Sequence, residues 1–335
     1  MVLRPIFDAK DKKGVEAHAL SGKVKYVRVI RRKMKGDWKF FLQLVCEGDP
    51  LQRFEARAQI AAIDLGPSTA AIVSPDRAAL VSFLPTIDED LAAKRLLQRA
   101  MDRSRRATNP HCFNPDGTWK RGKRQTVFSK NYRELRAQLA EQERVMAECR
   151  DRAQGQLSNI VTRDFGRVVK TEKLGKKAWQ KMWGRRMKAT APGMFMNKVD
   201  RKAENAGGSL IEFNAGLYKL SQYDHTMGDF KKKPLSLRIH VLRDGSGQIV
   251  QRDLYSAWLA LFVQTDGLDA IQAKAAWAGA YPYLVHAAAN PVKAASWTPM
   301  AATRFFENVG VASMQKQSEY TKRSLTTSEE PYATL

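Results

Sequence analysis

The sequence predicts an α/β protein, and three observations carry that prediction. Residues 60–84 contain three short apolar runs, IAAIDL, TAAIVS and ALVSFL, that read as a three-strand meander. From Asp88 to Ala107, and again from Ser129, apolar residues recur every three or four positions, the helical period. RVVKTE (167–172) then returns to a buried strand ending in an acid. Strand-like runs alternating with helical ones imply a sheet with helices packed against it.

The elements follow in order. Residues 22–47 alternate as KVKYVRVIRR and WKFFLQLVCE around Lys35-Gly36-Asp37, a basic β-hairpin belonging to a small N-terminal segment, 1–59. A polar connector from Gly48 to Gln59 leads into the meander. The helix over 88–107 carries Leu91, Leu96 and Leu97 on one side. Asn-Pro, Asn-Pro-Asp-Gly and Arg-Gly signals mark 109–128 as a loop. Ser129 caps a long helical pattern that Gly166 ends. Beyond Glu172 the reading is a basic loop, then a helix around Pro192 to Ala206, and strands at 209–213 and 237–243. QRD (251–253) opens the strongly apolar helix LYSAWLALFV. Residues after about 265 are Ala-rich and helical, then polar and frayed by Gln315.

Composition narrows the function. The 335 residues carry 57 Lys+Arg against 34 Asp+Glu, a formal charge of +23. No run reaches the roughly 18–20 apolar residues of a membrane span, and MVLRPIFDAKDKKG lacks a signal-peptide core. Cys46, Cys112 and Cys149 fit neither a disulfide framework nor zinc spacing. These features argue against a membrane protein, a secreted cystine scaffold and a four-cysteine zinc module, and the expectation is a cytoplasmic protein. So large a basic excess attracts polyanions, of which nucleic acid is the commonest. The clusters are local: Lys23 to Lys39, including Lys25, Arg31 and Arg32; Arg103 to Arg106; Lys120 to Arg124; Lys173 to Lys188; and Lys231 to Lys233. Tyr26, Trp38, Trp119, Trp179 and Trp183 sit among them, able to stack on bases while the cations neutralise phosphates, or simply to pack.

Asp64, Glu172 and Asp253 each terminate or follow an apolar stretch. Singly, Asp64 could shape a turn, Glu172 could be an exposed acid, and Asp253 could cap the following helix. Together, in a basic frame, they form a candidate set for hard divalent ions, which prefer oxygen donors and take one or two carboxylates each. Two such ions roughly 3.5–4 Å apart can activate water and stabilise the leaving oxygen in phosphodiester hydrolysis.

At these residues the chain resembles the TnpB-like RuvC nucleases of insertion sequences, relatives of the type V CRISPR effectors. AAIDLGPSTAAIV (61–73), VVKTEKLGKKAWQKMWG (168–184) and QRDLYSAWLALFV (251–263) are similar to its three RuvC segments. APGMFMNKVDRKAENAGGSLIEF (191–213) and KLSQYDHTMGDFKKKPLSLRIHVLRDGSG (219–247) resemble the region leading through its zinc ribbon. The resemblance covers about residues 22–264. It implies an RNase H-like mixed sheet, with Asp64 on the first strand, Glu172 on the fourth and Asp253 at a C-terminal helix. It also implies Mg²⁺- or Mn²⁺-dependent DNA cleavage guided by RNA that pairs with the target. Within that scheme the domains are a partial wedge at 1–59, a RuvC core at 60–218 with a helical insertion at 86–165, and a ribbon-like insertion at 219–247. A RuvC C-terminal segment (248–280) and an extension (281–335) complete it. Lys173, Lys176, Lys177, Lys181, Arg185 and Arg186 would border the strand being cut, and Arg252 could touch the scissile phosphate.

Two departures qualify the picture. Where the family has its first Cys-x-x-Cys stands Asp224-His225-Thr226-Met227, and the second cysteine pair falls within 240–244, so no zinc is expected and His225 and His240 read as surface residues. The first acid arrives at position 64, leaving little room for a recognition lobe, so a second polypeptide or second copy is the expected source. The alternative functions are a non-cleaving RNA-guided DNA-binding protein and a transposon remnant without activity.

Overall fold

The computed structural model describes residues 11, 14–51, 54–82, 87–122, 126–173, 175–234 and 236–293. Its elements, in order, are α1 (Val15–Ser21), β1 (Val24–Met34), β2 (Asp37–Cys46), β3 (Ile60–Leu65), β4 (Thr69–Ser74), β5 (Arg77–Ser82), α2 (Ile87–Thr108), α3 (Lys130–Ile160), β6 (Val168–Glu172), α4 (Lys176–Thr190) and α5 (Pro192–Asn205). There follow β7 (Ser209–Phe213), α6 (Ala215–Tyr218), β8 (Tyr223–Asp224), β9 (Asp229–Phe230), β10 (Ile239–Val241), β11 (Ile249–Gln251), α7 (Arg252–Ala260), α8 (Ala270–Ala289) and β12 (Val292–Lys293). The chain is a mixed α/β protein in two compact units, Met1–Arg53 with Thr86–Cys149, and Phe54–Pro85 with Arg150–Leu335.

In the first unit the expected hairpin forms. Strands β1 and β2 pair antiparallel from Tyr26↔Val45 to Met34↔Asp37. The two-residue turn needs positive φ at both positions, met by Lys35 at 51° and Gly36 at 93°. Side chains are exposed on both faces, among them Val29, Trp38 and Phe40, and the Arg31 guanidinium lies 4.2 Å from the Trp38 ring centroid. The expected cap is also present: Ser129 Oγ accepts from Tyr132 N–H at 3.1 Å at the start of α3. Asn109 ties the ends of the following loop together, donating to the Arg105 and Val127 carbonyls and accepting from Val127 N–H.

The second unit is built on a sheet of order β12-β5-β4-β3-β6-β7. Strands β3, β4 and β5 form the antiparallel meander; β6 and β7 run parallel to β3, and the two-residue β12 runs parallel to β5. Both faces are covered, which explains why β3 reads as nearly continuous apolar sequence. On one face Ala62, Ala71 and Val73 pack against Leu254, Tyr255 and Trp258 of α7 and Trp277 and Leu284 of α8. On the other, α5 and the π-helical turn 161–165 that ends α3 approach the sheet, with Phe165, Phe195 and Val199 fully buried.

Gly166 joins that turn to β6 where a side chain has no room. A Cβ there would stand 2.3 Å from the Gln59 carbonyl oxygen, a backbone atom that cannot swing away. Gly166→Ala is therefore expected to cost about 1–3 kcal/mol, the usual range for overpacking, read as a lower urea midpoint at unchanged m-value.

Two local expectations change. The basic segment after Glu172 is a helix from Lys176, bent at Trp183 (φ −131°, ψ 28°), because Lys, Arg, Met, Gln and Ala are all good helix formers once one face finds a surface. Of the strand expected over 237–243, only 239–241 pairs. The Ala-rich helix runs on to Ala289, and the polar tail around Gln315 lies outside the described residues. No helix among the described residues is long and apolar enough to cross a membrane.

Candidate active site

Two periodicities and one helix start bring the three acids into one corner of the second unit. Along β3, Asp64 lies two residues beyond Ala62, on the sheet face that packs against α7. Strand β6 runs parallel beside it with Ile63 opposite Thr171, so one step further Glu172 neighbours Asp64. Thr171 Oγ1 locks this register by donating to the Ile63 carbonyl at 3.0 Å. Lys170, on the same face of β6 as Glu172, donates to the Leu261 carbonyl at 2.9 Å and to that of Val263, just past the end of α7. Burial pulls the Lys170 ammonium below its usual range. Strand β6 and helix α7 are thereby tied together near both acids they carry.

Asp253 lies in the first turn of α7, where a carboxylate is favoured by the helix dipole. It is not the cap. Gln251 is: its Oε1 accepts from Leu254 N–H at 2.6 Å, while its Nε2 donates to Asp253 Oδ2 at 3.0 Å. The same Oδ2 receives Arg238 Nη2 at 2.6 Å. The Asp64 carboxyl is pushed well above the usual carboxylate range by burial first, then by the negative charges of Asp253 and Glu172, with Arg252 and Arg238 opposing. Burial also raises Glu172. Glu172 is thus half-buried and perturbed, unlike an ordinary exposed strand-end acid. The corner is one of negative charge deprived of water, and three hard oxygen donors are the chemistry a divalent cation would relieve. As the side chains stand, no group of three His, Cys, Asp or Glu among the described residues is gathered into a metal-ligand set.

The basic candidates are distributed as follows. Lys25, Arg31 and Arg32 are exposed on β1 and Lys23 just before it; Lys181 and Arg185 are exposed on α4 and Lys173 on the segment before it. Lys176 and Lys177 start α4, but their side chains lie outside the described residues. Arg186 is half-buried and reaches Ser68 Oγ at 3.3 Å, in the turn just after Asp64, while Thr190 Oγ1 donates to the neighbouring Pro67 carbonyl at 2.6 Å. The end of the basic helix is thus anchored beside the acid corner. Arg252 is 7% exposed, donates to the Pro234 carbonyl at 3.1 Å and brings Nε to 3.8 Å from Asp253 Oδ1. Trp119 packs edge-on against Phe113 and Trp179 against Trp183, the ordinary packing role.

The ribbon-like insertion corrects a second expectation. His225 and His240 are 3% and 1% exposed, enclosed by Tyr255, Trp258 and Trp277 rather than lying on the surface. His225 Nδ1 bonds Tyr255 Oη at 2.8 Å; Lys233 donates to His240 Nδ1, and His240 Nε2 faces Asp224 at 3.6 Å. Asp224, itself buried, accepts from Thr226 N–H at 3.0 Å, Thr226 Oγ1 at 2.6 Å and Arg243 Nε at 3.3 Å. Burial alone would push the Asp224 carboxyl up, but Thr226, His240 and Arg243 hold it below the usual range. Both imidazoles are pushed down to about 4, His225 by burial and His240 by burial and Lys233. A polar knot thus joins the two short hairpins, β8–β9 and β10–β11.

The reading of the sequence missed Arg238, Gln251 and Lys170 as partners of the acid corner. Gln251 gave a weak signal, since the usual caps are Ser, Thr, Asp and Asn, and Asp253 nearby fits that preference better. No protein-family profile matches this chain, and no curated protein matches its sequence.

Proposed function

We propose that the protein is a metal-dependent nuclease that hydrolyses phosphodiester bonds, with Asp64, Glu172 and Asp253 as its acids, and that it acts as an RNA-guided DNA endonuclease of the TnpB-like kind. The observation that carries this reading is the juxtaposition of the acids, with Glu172 beside Asp64 across the parallel β3–β6 pair and Asp253 at the start of the helix packed on β3. Support comes also from the sheet. Asp64 lies on its first strand, Glu172 on its fourth and Asp253 on a later helix across one face, as an RNase H-like arrangement requires. The +23 charge supplies affinity for the polyanionic guide and target.

The three carboxylates would hold Mg²⁺ or Mn²⁺, which when bound activates water and neutralises charge on the phosphate. Arg186, fixed at Ser68, is placed to hold a backbone phosphate next to Asp64. Substituting Glu172→Gln or Asp253→Ala is expected to lower Mg²⁺-dependent cleavage of DNA at least about 100-fold, comparable to removing one strongly stabilising group from a transition state, while RNA binding measured by gel shift is retained. Metal-dependent cleavage at wild-type rates in both variants would falsify the assignment. The guide itself is to be identified by sequencing the RNA that co-purifies.

One observation favours the second reading, a non-cleaving nucleic-acid-binding protein. Asp253 is already engaged by Arg238 and Gln251. That reading expects stable complexes with no product under any divalent ion.

A further inference from the structure

In the acid corner a guanidinium already stands where positive charge is wanted. Arg238 Nη2 meets Asp253 Oδ2 at 2.6 Å, on the oxygen that also accepts from Gln251. The contact is built into the backbone. Ile239 pairs with Gln251, and Arg252 N–H donates to the Arg238 carbonyl at 2.9 Å, so the Arg238 main chain is held beside the start of α7. The Arg238 side chain is 53% exposed and that of Asp253 16%, so the guanidinium approaches from solvent and can withdraw without disturbing the core. A cation that binds Asp253 must therefore compete with this guanidinium for the Oδ2 oxygen.

We propose that Arg238 is an internal counter-ion that closes the acid corner, and that a divalent cation binds there by displacing it from Asp253. The proposal rests on the nuclease reading. It accounts for a pair of facts that otherwise conflict: the backbone brings the three acids to one corner of the sheet, yet their side chains are not gathered into a ligand set. With Arg238 in place Asp253 is turned toward the ribbon-like insertion; with it withdrawn, the carboxylate is free to turn toward Asp64 and Glu172. The residues before β10 would then set the metal requirement of the site, because they carry the competing cation.

The test is Mn²⁺ binding to the full-length protein, followed by the electron paramagnetic resonance of free Mn²⁺, in wild type and Arg238→Gln. The variant is expected to bind Mn²⁺ more tightly by up to about fivefold, the upper end for a partly exposed ion pair. A second readout uses protein labelled with ¹⁵N-arginine. The Arg238 side-chain resonance, identified by its loss in Arg238→Gln, should move to the position of a free arginine as Mg²⁺ is added to wild type. Equal or weaker Mn²⁺ binding by Arg238→Gln, or an Arg238 resonance unmoved while Mg²⁺ binds, overturns the counter-ion role and leaves the nuclease reading standing. Failure of both proteins to bind Mn²⁺ removes the nuclease reading and this inference with it. A melting temperature for Arg238→Gln within a few degrees of wild type confirms that the variant is folded.

Discussion

Asp64→Asn should melt at a higher temperature than the wild-type protein at pH 8 in metal-free buffer. The reason is that the wild-type corner holds three carboxylates, and burial plus the charges of Asp253 and Glu172 raise the Asp64 carboxyl well above its usual 3.8. A group whose folded pKa lies above its unfolded value binds more protons when folded, so folding loses stability as pH rises through the window that starts at 3.8. Asn is nearly isosteric, carries no charge and removes that loss. The gain should be about 0.5–2 kcal/mol, the range common where a functional site is relieved of strain, and should shrink as pH falls toward 4. Adding Mg²⁺ should stabilise the wild type and not the variant, since a ligand that binds only the folded state raises its stability by mass action. Differential scanning calorimetry at pH 5 and 8, with and without Mg²⁺, checks all four arms. An unchanged or lowered melting temperature for Asp64→Asn at pH 8 would show that the acids do not repel one another in the folded protein.

The second large effect is expected in the ribbon-like insertion. Asp224 is 1% exposed and receives Thr226, Arg243 and the edge of His240. Replacing it with Ala removes the acceptor that Thr226 and Arg243 Nε share, while Arg243 keeps its pair with Asp229; losing hydrogen bonds to a buried charged group costs about 1.5–3 kcal/mol. Urea denaturation should show that loss in Asp224→Ala. Limited proteolysis should then cut between Met227 and Lys233, a stretch the knot otherwise holds. Resistance equal to wild type would mean the aromatic residues alone carry the insertion. The histidines add a pH dependence of the opposite sign to that of the acid corner. Both are pushed from 6.5 to about 4, so the unfolded chain binds more protons between those values. Stability from His225 and His240 is present above 6.5 and is lost as pH falls toward 4. In the wild type the two clusters partly cancel across this window, and Asp64→Asn, which removes the Asp64 part of the opposing slope, should lose stability more steeply on acidification.

Much of the fold was legible because its signals are local. Val, Ile and Ala runs of six residues between turn signals marked β3, β4 and β5; Gly36 marked the hairpin turn; Ser129 and Gly166 bracketed the long helix. The three acids were legible as strand-end or helix-start residues, and only their place in the sheet, Glu172 beside Asp64 across a parallel pair, turns them into a cluster. What stayed hidden depends on packing. Helix α4 looked like a loop because its charge density was taken for solvation, whereas its anchors, Arg186 to Ser68 and Thr190 to Pro67, come from residues more than a hundred positions away. His225 and His240 looked like surface residues because no cysteine accompanied them, yet Tyr255, Trp258 and Trp277 arrive from α7 and α8 to enclose His225, and Tyr255 stacks on His240. Arg238 gave no pattern at all, since its partner lies fifteen residues on and meets it only through the β10–β11 ladder.

Gln251 makes the direction of its own amide unambiguous, since one end must accept and the other must donate. Turning the group over would set an NH₂ against Leu254 N–H and an oxygen against Asp253, two losses from one rotation. Glutamate, the same length, would keep the first bond and place like charge on the second. The helix beginning and the aim of the acid are consequently joined in one side chain, and the amide serves both where a carboxylate would serve only the first.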